Sequence, residues 1–143
     1  MTTSDTIDIQ LLESPLSPEA CVASVEDGGA GGSVVFIGTV RNRTQGRPVV
    51  RLEFEAYAPM AIKEMRKIAE AAAERWPVQR MAIHHRVGSL AIGDIAVIIA
   101  VATPHRAEAF AACQYAIDTL KETVPIWKKE IFADGEVWVA AHP

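Results

Sequence analysis

Apolar positions along the chain follow three patterns, and each predicts a different kind of element. Phe110, Cys113, Ile117, Leu120 and Val124 recur at gaps alternating between three and four. That spacing predicts one amphipathic helix, with Thr103 as cap, Pro104 as first helical residue and Pro125 as stop. A second helix is expected over Pro59 to Trp76, with Ile62, Met65, Ile68, Ala69 and Ala72 inward, and a short one from Ser17 and Pro18 to about Val25. Alternation marks a short strand at Ile7 to Leu12, IDIQLL. It marks another where Val50, Leu52, Phe54 and Ala56 alternate with Arg51, Glu53 and Glu55, a strand with one wet face. The third pattern is the nearly continuous apolar run Ile95 to Ala102, which reads as a buried central strand.

Further strands are expected over Ser33 to Arg41, Val78 to Val87 and Ile126 to Phe132. Asp134-Gly135 then turns the chain into Val137 to Ala140. Gly38 inside its strand predicts a bulge or a close backbone approach. Met1 to Thr6 is expected to fray, 42–48 to be a mobile polar loop and Gly88 to Asp94 a turn-rich connection. Consecutive strands are joined too tightly for parallel crossovers in three places, so the fold class is α+β with a mostly antiparallel sheet.

Composition narrows the function classes. At 143 residues, half of them apolar, the chain is expected to be one domain over 1–143. A formal net charge of −4 argues against general nucleic-acid or anionic-membrane binding, so any anionic ligand needs a local cationic cluster. The two cysteines, Cys21 and Cys113, have no metal-ligand spacing, and with no secretory signal or long apolar run the expectation is a soluble cytoplasmic protein. DGGAGG at 27–32 lacks the GK[ST] of a phosphate loop. His84 and His85 are strand neighbours on opposite faces and cannot share a metal. No metal site is expected.

Candidate chemistry gathers around the helix after Ala102. His105 and Arg106 fall in its first turn, where unpaired N–H groups and the helix dipole already favour an anion. Lys121 lies in its last turn, and Lys128 and Lys129 follow just past Pro125. Each has a plain structural reading: dipole compensation for Lys121, a solvated strand face for Lys128 and Lys129, pairing with Glu108 for Arg106. Cations at both ends of one helix in an acidic protein raise the functional reading.

The segments FIGTVRNRTQGRPV, LEFEAYAPMA, HHRVGSLAIGD and ATPHRAEAFAACQYAIDTLKETVPIWKKE together resemble the large, catalytic subunit of the molybdopterin synthase family, over about Gly32 to Trp138. The resemblance implies an α/β-hammerhead-type fold and a dimer of large subunits. It also implies a small ubiquitin-like sulfur carrier on each subunit, forming a heterotetramer. The carrier's C-terminal Gly-Gly thiocarboxylate would enter a pocket and give sulfur to cyclic pyranopterin monophosphate, making the dithiolene with no metal or other cofactor at this step. By motif position, substrate contacts fall on Thr39, Val40, Arg41, His105, Arg106, Lys121, Lys128, Lys129 and Glu130, with Lys121 and Lys128 catalytic. Phe36 is a candidate neighbour of the pterin, with a plain core role as the alternative reading.

Many relatives continue beyond Trp138 with further basic residues, and any substrate contact from them is expected here to be either absent or replaced by Arg43 or Arg47. Arg106 and Lys121 stand about 22 Å apart along one helix, so His105 and Arg106 are expected to complete the pocket of a two-fold mate. Two alternatives stay open: a non-catalytic docking module for a ubiquitin-like partner, and an unrelated anion-binding oligomer of ferredoxin-like build.

Overall fold

The computed structural model describes residues 6–140. In chain order they form β1 (Ile7–Leu12), α1 (Pro18–Ser24), β2 (Gly32–Thr39), β3 (Arg43–Thr44), β4 (Arg47–Ala56) and α2 (Ala58–Arg75). Then come β5 (Arg80–Arg86), β6 (Gly88–Ala91), β7 (Ile95–Thr103), α3 (Arg106–Thr123), β8 (Ile126–Phe132) and β9 (Val137–Ala140). Of the Met1 to Thr6 segment expected to fray, 1–5 lie outside the described residues, whereas Thr6 is held, its carbonyl accepting from Met81 N at 2.9 Å.

Two sheets share the chain. The first has the order β1-β5-β7-β2, with β1 parallel to β5 and the other pairs antiparallel. The second has the order β3-β4-β8-β9, with β6 also paired to β4, and is antiparallel throughout. The expected α+β, mostly antiparallel class therefore holds. The continuous apolar run of β7 is explained by burial on both faces. Val97, Ile99 and Val101 pack with Met65, Ile68, Ala112, Ala116 and Leu120 under α2 and α3. Ile98, Ala100 and Ala102 pack with Leu16, Cys21 and Val25 under α1. Ser17 caps α1 as expected, its Oγ accepting from Ala20 N at 3.1 Å.

Two strands escaped the pattern reading. β6 presents one inward side chain, the fully buried Leu90, so four residues carry no periodicity. The segment expected as a loop over 42–48 contains a tight hairpin instead, turning at Gln45 and Gly46 with φ of 50° and 80°. Both values are positive, as a two-residue hairpin turn requires.

The helix faces follow the expectation at most positions, with Met65, Ile68, Ala69 and Ala72 buried along α2 and Cys113, Leu120 and Val124 buried along α3 and its C-cap, and differ at single ones. Ala61 is buried while Ile62 is exposed. In α3, Ala109, Ala112 and Ala116 join Cys113 and Leu120 inside, whereas Phe110 is 61% exposed. Small residues win the inward positions because they let the helices lie close to the sheet. Val50 likewise points outward, 47% exposed, because a register irregularity between Val49 and Arg51 shifts the alternation.

The start of α3 also differs. Thr103 is still paired with Gly32 in the sheet and its Oγ1 donates to His105 O, so it does not cap the helix. His105 is the N-cap, without a capping side-chain bond, and Pro104 lies outside the helix.

The last two glycines of DGGAGG, Gly31 and Gly32, serve close packing against this helix start. A Cβ on Gly31 would stand 2.3 Å from the backbone oxygen of Pro104, while one on Gly28 would meet nothing within 4 Å. Gly31→Ala is expected to lower unfolding free energy by about 1–3 kcal/mol. Urea denaturation beside Gly28→Ala, expected near wild type, checks this.

Candidate active site

A cavity of about 360 Å³ opens where the two sheets meet the C-terminal end of α3. Several elements deliver its groups. β2 brings Phe36 and Thr39, and the chain just beyond it brings Arg41. The last turn of α3 brings Lys121, β8 brings Lys128 and Glu130, and β5 brings His85. Gly38 allows the approach of β2 to β7: a Cβ there would lie 2.8 Å from Val97 Cγ1, and the register shifts immediately after it.

Arg41 reaches the rim because Val40 is pinned. Val40 N donates to Asp94 O at 3.0 Å, and its carbonyl accepts from Gly93 N at 2.9 Å. Val40 is consequently 3% exposed, a core residue and not a cavity wall. Lys128 and Glu130 share a face of β8, as strand alternation requires. The Lys128 ammonium lies 3.6 Å from the Glu130 carboxylate, which is 2% exposed and accepts a hydrogen bond from Thr44 Oγ1 at 2.5 Å. Arg41 and Lys121 have no ion-pair partner among the described residues. The cavity therefore carries three cations against one carboxylate, and its chemistry favours an anion.

Several expected contacts lie elsewhere. Lys129 faces the opposite side of β8, its ammonium 3.9 Å from Glu53. His105 and Arg106 are exposed at the far end of α3, and Arg106 does not pair with Glu108. Arg43 donates to Gly46 O, and Arg47 is held by Asp134 and Glu136 over the Phe132 ring. Both arginines serve the hairpins, and neither lines the cavity.

His85, Thr44 and Phe54 line the cavity without having been singled out. His85 shares a face with Met81 and Ile83, which was legible, but its nearness to Lys121 arises only from the packing of α3 on the sheet. The ring is 1% exposed, its Nδ1 donates to Arg86 O at 2.8 Å, and it meets Phe54 edge to face at 5.2 Å. Burial pushes its pKa down to about 4, the bond to Arg86 opposes this, and the charge of Lys121 lowers it further.

That shift has a stability consequence. The unfolded chain takes up a proton near pH 6.5, whereas the folded ring resists until about pH 4. Folding stability is therefore lost progressively as pH falls from about 6.5 to 4, by about 3 kcal/mol in all. His85→Gln, which cannot titrate, should show a flatter decline in urea unfolding midpoints over that window.

An α+β frame that gathers Arg41, Lys121 and Lys128 into one recess defines the class: a protein with a cationic pocket suited to a small anion. Comparison with known proteins narrows this. The family model described as MoaE protein matches residues 11–123. A Nostoc protein named molybdopterin synthase catalytic subunit is 52% identical over 128 residues, covering 88% of this chain and 78% of its own. The crystal structure of molybdopterin synthase from Staphylococcus aureus superposes with a TM-score of 0.85 at 42% identity, covering 99% of both chains. A complex of subunits 1 and 2 of the molybdopterin-converting factor from Helicobacter pylori shares the fold, with a TM-score of 0.73 at 20% identity, covering 96% of this chain and 94% of that one. This chain belongs to the MoaE family, that of molybdopterin synthase catalytic subunits.

Proposed function

We propose that this chain is the sulfur-transferring subunit that converts cyclic pyranopterin monophosphate to molybdopterin. Sulfur comes from the thiocarboxylated C-terminus of a small ubiquitin-like carrier. The observation that carries this reading is the convergence of Arg41, Lys121 and Lys128 on one recess between the sheets. The recess suits both reactants: a cyclic phosphate and a thiocarboxylate are each anions. Lys121 meets the carrier terminus and stabilises the oxyanion that develops at its acyl carbon. Lys128, oriented by Glu130, holds the pterin and stabilises developing charge, while Thr39 and Arg41 contact substrate at the rim.

His105 and Arg106 come from a two-fold mate and complete the phosphate site, with N–H groups at the start of α3 contributing. The H. pylori complex of two subunits supports a carrier partner by analogy. Buried, free Cys21 and Cys113 suit a reducing cytoplasm, and no described helix is long and apolar enough to cross a membrane.

Reconstitution tests the reading. Purified chain, thiocarboxylated carrier and the pterin precursor are expected to yield a pterin bearing two sulfurs and a carrier ending in carboxylate. Carrier binding without sulfur transfer would favour a docking module and overturn it.

A further inference from the structure

We propose that Nε2 of His85 accepts the proton of the water molecule that releases the carrier from its acyl–sulfur link to the pterin. This rests on the sulfur-transfer reading and adds a group which that reading leaves unused.

The tautomer follows from the surroundings. Nδ1 faces a carbonyl oxygen, Arg86 O at 2.8 Å, so it must carry the hydrogen, and Nε2 keeps its lone pair. Nε2 has no hydrogen-bond partner among the described residues, although the ring borders the cavity. Edge-to-face packing against Phe54, at 5.2 Å and 81°, holds the ring in place. The other polar groups offer less. Arg41, Lys121 and Lys128 are donors only, and the Glu130 carboxylate is engaged by Thr44 and Lys128. His85 supplies an uncharged acceptor beside a cation that stabilises an oxyanion. Burial keeps the ring neutral at physiological pH and makes it surrender an acquired proton readily.

The step balances as follows. Once the thiocarboxylate sulfur has bonded to a pterin carbon, the carrier is held as a thioester. The water oxygen bonds to the acyl carbon while Nε2 takes one water proton, and the oxyanion forms near Lys121. Its collapse breaks the carbon–sulfur bond, and the electron pair leaves on sulfur. Nε2 returns its proton to that thiolate. The second water proton goes to solvent, and the carrier departs as a carboxylate.

His85→Asn separates this role from a structural one, because the asparagine amide can still donate to Arg86 O but has nothing at the place of Nε2. With the reconstituted complex, thiocarboxylated carrier and pterin precursor, release of carrier is expected to slow about 100-fold or more. A covalent carrier–pterin adduct should accumulate by mass, with its formation rate unchanged. Release at the wild-type rate, or equal slowing of both steps with no adduct, overturns the proposal. If the variant does not fold, ¹⁵N spectra of the wild-type complex decide: protonated Nδ1 and bare Nε2 on His85 are expected, and the opposite tautomer overturns the role. Wild-type chain that forms no sulfur-bearing pterin refutes the sulfur-transfer reading itself. Wild-type turnover matched by His85→Asn removes only the role of His85.

Discussion

Replacing Lys121 with alanine is expected to slow sulfur transfer by about 10²–10³-fold, the cost of removing one charge-stabilising donor from an acyl-transfer site. The fold should survive. Lys121 is exposed and makes no ion pair among the described residues, so its structural contribution is limited to dipole compensation at the end of α3, about 0.3–1 kcal/mol. Lys128 would give a less clean answer. Its removal strips the nearest cation from the buried Glu130 carboxylate, leaving Thr44 as the remaining partner, so stability and activity would fall together. Lys121→Arg adds a mechanistic distinction. If Lys121 acts by charge alone, the guanidinium should restore part of the lost rate. If its amine attacks the acyl carbon, arginine should be as slow as alanine. Single-turnover kinetics on the reconstituted complex, beside thermal melts of each variant, read both quantities. A Lys121→Ala chain as fast as wild type would remove this residue from the reaction.

The elements that carry a long pattern were legible in the residues, and those that carry none were not. β7, β8, β9 and α1 follow from an apolar run, an alternation, an Asp-Gly turn and a Ser-Pro cap. β6 has one inward leucine and exists because Gly88 to Ala91 finds the edge of β4. On helix faces that otherwise follow the pattern, Ile62 and Phe110 were misjudged because a large apolar side chain was preferred to a neighbouring alanine. Close helix–sheet packing decides the other way at Ala61 and Ala109.

The same division runs through the candidate site. The alternation of β8 sends Lys128 and Glu130 to one side and Lys129 to the other, which one dimension suffices to say. That Val40 turns inward depends on its bonds to Gly93 and Asp94, a loop distant in sequence. His85 was placed on the right face but not beside Lys121, since that contact requires knowing how α3 crosses the sheet. In a regular strand such as β8 local pattern fixes which way a side chain points; tertiary packing fixes what it meets.

Mixing an Arg106→Ala chain with a Lys121→Ala chain is expected to recover activity that neither has alone. His105 and Arg106 stand at the opposite end of α3 from Lys121, about 22 Å away along the axis, too far for one small substrate to touch both in one subunit. Both side chains are exposed, and Arg106 has no ion pair among the described residues, which leaves them free to meet a ligand from another chain. A closed two-fold dimer that set each helix start of one chain near the cavity of the other would supply the remedy, and symmetry would repeat the arrangement twice. In a mixed dimer, one site then combines intact Lys121 from the first chain with intact Arg106 from the second, and the other site lacks both. After exchange at equal concentrations, half the dimers are mixed and half of their sites are whole. The expected recovery is thus about one quarter of the wild-type rate. Native mass spectrometry of isotopically labelled chains verifies that exchange has occurred. Exchanged dimers that stay inactive would mean that each cavity is built from a single chain, and that the phosphate is held by Arg41 and the lysines alone.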